Sequence, residues 1–130
     1  MIRKFSMNKL IRDNAPVLSD PQVQVTQRIL GDDEYIAQLK LKLVEEAQEV
    51  LEAQNIEDTK TELADVMEVI HALCAIENYT LQEIEEARIK KKAERGGFEK
   101  RVYCQDFSMD ESNTKIAYFL ADSKKYPEIK

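Results

Sequence analysis

From Asp32 onward the apolar positions of the chain recur at steps of three and four residues, at Ile36, Leu39, Leu43, Ala47, Val50 and Ala53. That period puts them on one face of a helix, and Asp32 and Asp33 stand where they can cap its start. The pattern loosens around Asn55. Asp58 or Thr59 offers the next cap, and a second helix is predicted to run to about Ile76 with Leu63, Val66, Ile70, Leu73 and Cys74 inward. So short an interval makes the two helices a hairpin. A third helix is signalled by Thr80 with Glu83 three residues on, a capping box, and by Gly96 and Gly97 as its C-terminal stop.

Ahead of the hairpin, residues 7–20 mix charged and apolar side chains and contain Pro16, the pattern of a short helix or ordered arm. Residues 22–30, QVQVTQRIL, alternate polar and apolar side chains with the period of a strand, and Gly31 breaks the run. Residues 100–106, KRVYCQD, offer the partner for a small two-stranded β element. The expected fold is mainly α, an antiparallel helical hairpin plus a third helix in a single domain over residues 1–130, with no repeat, low-complexity segment or linker. The apolar arcs of the two long helices each span nearly half the circumference, more than three helices of one chain can cover. A homodimer completing a four-helix-bundle core is therefore expected.

Composition supports this picture. The chain is 43% hydrophobic and 34% charged with three glycines and three prolines, which excludes a disordered or turn-rich β protein. Twenty-five acidic against nineteen basic residues leave a net charge of -6, so there is no footprint for a nucleic acid duplex, and an anionic ligand needs cations gathered locally. Cys74 and Cys104 have no CxxC spacing and the chain starts without an apolar stretch, the pattern of a reduced, cytoplasmic protein. Val69 to Ile76, the most apolar run, is interrupted by His71 and is too short to span a membrane.

The chemistry sits in the acidic residues of the hairpin. On a helical wheel Glu46 falls inside the apolar arc of the first long helix and Glu49 at its edge; in the second, Glu62 falls inside the arc and Asp65 at the matching edge. A hairpin folded near residues 55 and 56 brings Glu49 level with Glu62 and Glu46 level with Asp65. Packed helices run about 8–10 Å apart, a gap that facing carboxylates span with a cation between them. Without the cation, like charges so close raise one another's pKa values or push the helices apart. Solvated charge explains a lone ExxE well enough, but it gives no reason for two acidic pairs to occupy apolar arcs at matching heights. Hard carboxylate ligands without Cys or His suit Mg2+, with Mn2+ as a substitute. Glu68 and His71 form an ExxH, the element of di-iron bundles, but both fall on the polar side of their helix and no second ExxH exists.

The array EExxE at 45–49 followed by ExxD at 62–65 resembles the signature of the MazG-like all-α nucleoside triphosphate pyrophosphohydrolases, relatives of phosphoribosyl-ATP pyrophosphohydrolase. NKLIRDNAP at 8–16 is similar to the NKLVRDKIP opening of one branch of that family, and KKAERGGFEKR at 91–101 resembles its RGGF segment; Asn14 and Ala15 depart from the branch. The resemblance spans about residues 7–104 and leaves 105–130 as a C-terminal extension. It implies Glu46, Glu49, Glu62 and Asp65 as magnesium ligands, Glu45 as a catalytic partner that orients water, and hydrolysis of a nucleoside triphosphate to monophosphate and pyrophosphate. House-cleaning of non-canonical nucleotides is the activity it suggests, with phosphoribosyl-ATP as the alternative substrate. It also implies dimers or higher oligomers, a homodimer or a homotetramer.

The phosphates need positive charge, and two pairs one turn apart can supply it: Lys91 with Arg95, and Lys9 with Arg12. A basic helix end complementing the dipole accounts equally well for Lys90 to Lys92 and Arg95. Phe98, Tyr35 and Tyr103 could stack on a base, but aromatics beside apolar runs are more often core, and both cysteines read as small buried residues. A different class of function fits the same cluster, a helical dimer that senses a nucleotide or divalent ion without turnover; a plain interaction module without ligand is the third.

Overall fold

The helical period of the sequence is realised, and the period-two segments are not. A computed structural model describes all 130 residues and contains five helices and no strand: α1 (Pro16–Ser19), α2 (Asp32–Glu52), α3 (Ile56–Glu77), α4 (Leu81–Arg95) and α5 (Ile116–Leu120). Residues 22–29 and 100–106 are exposed, Leu30 is half-buried, and neither segment forms a ladder. Alternation fits a chain to a sheet, but a strand exists only where a neighbour takes up its backbone N–H and C=O groups. No helix is long and apolar enough to cross a membrane.

The first two caps lie upstream of where the sequence puts them, by one residue at α2 and by three at α3. Gly31 is the N-cap of α2, with extended backbone and no side-chain bond; Asp32 and Asp33 sit with Glu34 in the first turn, where negative charge complements the helix dipole. At the second start Asn55, and not Asp58 or Thr59, is the cap: its extended backbone aims the side-chain oxygen at the Asp58 N–H, which donates to it at 2.8 Å. Thr59 then donates its hydroxyl to the Asn55 carbonyl at 2.8 Å. Only residues 53–55 separate α2 from α3, so the helices run antiparallel. Asn78 closes α3 in the left-handed region at φ 61°, a conformation asparagine tolerates. The capping box of α4 forms as expected, with the Thr80 N–H donating to the Glu83 carboxylate at 2.7 Å and the Glu83 N–H donating to the Thr80 hydroxyl at 3.1 Å. Gly96 ends α4 at φ 77°, which a side chain would resist.

The chain falls into two compact units, Met1–Lys91 and Lys92–Lys130, with the boundary inside α4. In the first, α2 and α3 are the one pair of helices with extensive packing. Leu39, Val69 and Leu73 form the buried centre, with Leu10, Tyr35, Ile36, Leu43, Ala72 and Ile76 packed against it, and Cys74 is buried nearby. Val50, Ala53, Val66 and Ile70 are half-buried, whereas Ala47 and Leu63 are exposed and not inward as the periodicity suggested. A wheel places Ala47 about 80° from Leu39 and Leu63 about 120° from Val69, beyond the strip that a single facing helix covers. α4 contributes no buried residue. In the second unit Phe107 and Tyr126 pack on Phe119 of α5, with ring centroids 4.7 and 4.9 Å apart. Phe98, Tyr103 and Cys104 are exposed, so none of them is the core residue the sequence suggested.

Replacing Leu39, 3% exposed, with Ala is expected to cost about 3 kcal/mol of unfolding free energy in urea titrations, and Asn55→Ala about 1 kcal/mol. A loss under about 0.5 kcal/mol for Leu39→Ala would show that the hairpin core is not where stability resides.

Candidate metal centre

The antiparallel register brings together carboxylates that the sequence separates by up to sixteen residues. Glu46 and Glu49 of α2 and Glu62 of α3 each offer a carboxylate oxygen, and the three atoms lie within 4.8 Å of one another. Glu46 is the one buried charged residue of the chain, 8% exposed, because its wheel position lies beside Leu39 on the contact line. Glu62 is half-buried, and its Oε2 is buried without a hydrogen-bond partner. A depression of about 240 Å³, lined by Glu49, Glu52, Ala53, Gln54, Asp58 and Glu62, opens beside the cluster toward the hairpin turn. Glu52 and Asp58 therefore add charge at a mouth that the helical wheels did not single out.

Three of the four predicted ligands converge. Asp65, expected to complete the set, stands outside it with its Oδ1 held by the Arg12 guanidinium at 2.8 Å. Glu45 lies beside the cluster and is held from two sides, by the Lys9 ammonium at 2.7 Å and by Lys42 at 3.2 Å. Lys9 and Arg12, predicted as phosphate ligands, thus engage one carboxylate on each helix of the hairpin. Leu10, between them in sequence, packs against the hydrophobic centre and anchors the arm there. Lys42, 3.7 Å from Glu46 as well, belongs to the same network. Its spacing of three and four residues to Glu45 and Glu46 was the signal that could have found it.

The electrostatics follow from this geometry. Burial pushes the Glu46 pKa up; Lys42 opposes that shift, and Asp65, Glu49 and Glu45 add to it. Burial is likewise the largest cause raising Glu62, followed by a hydrogen bond with Glu49 and repulsion from Glu49, Asp65 and Glu46. Glu45 moves the other way, because its hydrogen bond to Lys9 holds the carboxylate ionised. Five carboxylates against Lys9, Arg12 and Lys42 leave two negative charges uncompensated when all are ionised. Glu46, Glu49 and Glu62 are the residues able to hold a cation between the helices, and all their donors are oxygens.

Lys91 and Arg95 are exposed on α4 and form no ion pair, whereas Lys92 pairs with Glu99 at 3.1 Å. Glu68 and His71 are exposed, as their polar-face positions required. Tyr35 packs against the hydrophobic centre. Compared with protein-family models, with curated proteins and with solved structures, the chain matches none.

Glu46 and Glu62 bind protons more tightly in the fold than in the unfolded chain, so folding gains stability as pH falls from neutrality toward their raised pKa values. Glu45 has the opposite sign, and its contribution is lost only as pH falls below the ordinary carboxylate range. The metal-free protein is therefore expected to melt higher near about pH 5 than at about pH 7, and Glu62→Gln should raise the melting temperature at neutrality and flatten that rise. A melting temperature that falls steadily from pH 7 to pH 5 in chelator would contradict it.

Proposed function

We propose that this chain is a magnesium-dependent nucleotide pyrophosphohydrolase that cleaves nucleoside triphosphates, non-canonical ones among them, to nucleoside monophosphate and pyrophosphate. The observation that carries the reading is the meeting of Glu46, Glu49 and Glu62 across the hairpin, with one buried oxygen left without a partner. The resemblance of the EExxE and ExxD array, the NKLIRDNAP opening and the RGGF segment to MazG-like enzymes supplies the reaction class. These carboxylates suit the ion, since Mg2+ takes oxygen ligands and keeps waters on its open positions.

Glu46, Glu49 and Glu62 would hold the ion, with Asp65 at the edge of the set. When bound, magnesium supplies the positive charge that a polyphosphate needs and the polarisation that makes water a nucleophile. In the proposed reaction the water oxygen bonds to the α-phosphorus, the bond from that phosphorus to the bridging oxygen breaks, pyrophosphate leaves with that oxygen, and the proton the water gives up passes to solvent. Glu45, kept ionised by Lys9 and Lys42, would act as an acceptor that orients water more than as a strong base. Burial of Glu46 restricts its side chain, which would lower the ordering cost of holding an ion there. Lys91, uncommitted to any carboxylate, is available to a phosphate.

The test is pyrophosphate release from canonical and damaged nucleoside triphosphates and from phosphoribosyl-ATP, with and without magnesium. Magnesium-dependent pyrophosphate with a monophosphate product is the expected result, and the ranking across the panel separates the house-cleaning reading from the phosphoribosyl-ATP one. Glu62→Gln should lower kcat/KM more than about a hundredfold while the helical circular-dichroism signal persists, and Lys91→Ala about tenfold. Folded protein that gains thermal stability from nucleotide and magnesium but releases no pyrophosphate would replace the enzyme with a sensor.

A further inference from the structure

We infer that Arg12 is a binding residue held in reserve: a divalent cation between Glu46, Glu49 and Glu62 displaces its guanidinium from Asp65, Asp65 joins the ion, and Arg12 turns to the anion that the ion carries. The inference rests on the cation site proposed above, and not on turnover. The residues themselves suit such an ion, since every donor is an oxygen and Glu62 Oε2 is buried without a partner. Asp65 stands one turn after Glu62 on α3, on the same side of the helix. Its charge already reaches the cluster, for it helps to raise the pKa of both Glu46 and Glu62. The one side chain that bonds it is Arg12, and in that state Asp65 lies outside the three-carboxylate group.

The two cationic ends of the arm are not held alike. Glu45 accepts from Lys9 at 2.7 Å through Oε1 and from Lys42 at 3.2 Å through Oε2, so both of its oxygens are taken. Asp65 accepts one hydrogen bond, from Arg12 Nη2 to Oδ1 at 2.8 Å, and the Arg12 side chain is 59% exposed. An exposed pair with a single bond is the more easily broken, since water competes for the guanidinium and no second bond fixes it. Releasing Arg12 leaves the arm in place. Leu10 stays packed on the hydrophobic centre and Lys9 on Glu45, while the Ala15 N–H donates to the Arg12 carbonyl at 3.1 Å in the turn before α1. The exchange therefore moves the Arg12 side chain and not the backbone that carries it.

Charge gives the direction of the exchange. The two negative charges that Lys9, Arg12 and Lys42 leave uncompensated are what a divalent ion supplies. With the ion in place Asp65 no longer needs a guanidinium, and a bare carboxylate beside a double positive charge is drawn to it. A polyphosphate brought by the ion then returns negative charge to the rim, where the freed Arg12 meets it. Arg12 thus opposes the ion alone and favours the ion with its anion.

Mn2+ binding to the full chain is read from the electron paramagnetic resonance of the free ion, and Mg2+ binding from its displacement of Mn2+. Arg12→Gln is expected to tighten Mn2+ binding about fivefold and Asp65→Asn to weaken it about tenfold. In the Asp65→Asn background Arg12→Gln should change the affinity by less than about twofold, because no carboxylate is left to release. Inorganic tripolyphosphate, titrated at saturating Mg2+, should show the opposite sign, with Arg12→Gln binding it about fivefold more weakly. The wild-type chain tests the exchange without a variant that has to fold: rotation of its Arg12 guanidinium, followed by 15N-arginine NMR, is hindered in chelator and freed by Mg2+. Tightening of Mn2+ binding to the same extent in both backgrounds overturns the proposal, since the effect is then long-range charge. Unchanged ion affinity, unchanged tripolyphosphate affinity or an Arg12 signal indifferent to Mg2+ overturns it too. A chain that binds neither ion removes the cation site itself and the exchange with it. Exchange without pyrophosphate release upholds the inference and ends only the hydrolytic reading.

Discussion

The packing of α2 against α3 is the constraint on which the rest of the structure depends. Two helices joined by three residues touch along one strip, and two acidic residues lie on it. Carboxylates placed there lose water and face one another, and neither loss is recovered by the hydrophobic contacts of Leu39, Val69 and Leu73 around them. The chain meets this with cations from two sources. Lys42 comes from the same helix one turn back, and Lys9 and Arg12 come from an arm more than thirty residues away. The arm is apolar at Leu10 and cationic on either side, which lets it pack on the core and neutralise its edge at once.

That compensation is uneven across the cluster. Lys9 and Arg12 engage Glu45 and Asp65, the outer carboxylates, while Glu46, Glu49 and Glu62 face one another with Glu62 Oε2 unpartnered. A buried oxygen without a partner is costly, so Glu62 is the least satisfied member of the network. The rim is thus better neutralised than the centre, which Lys42 reaches only at 3.7 Å from Glu46.

The grouping of the acidic residues was legible in the sequence to the extent that it depended on helical period. Glu46 and Glu62 fell in apolar arcs and are withdrawn from water; Glu68 and His71 fell on the polar face and are exposed. The Thr80–Glu83 capping box and the Gly96 stop were also readable, since each is a contact among residues within one turn or a requirement for one backbone angle. The extent of the inward faces was less so. Leu63 and Ala47 repeat at the right step, but how wide a strip is covered depends on what packs against it, and one helix covers less than the periodicity allows.

By itself, then, the sequence determined the helices, the hairpin and the level at which Glu49 meets Glu62, because period, caps and a three-residue link are local quantities. Tertiary structure alone decided the partners. It sent Lys9 and Arg12 to Glu45 and Asp65, set Asp65 outside the three-carboxylate group, and left residues 22–30 without a strand neighbour. Ion pairs and ladders between distant segments depend on where those segments arrive in space, and neither composition nor spacing encodes that without the packed core that brings them there.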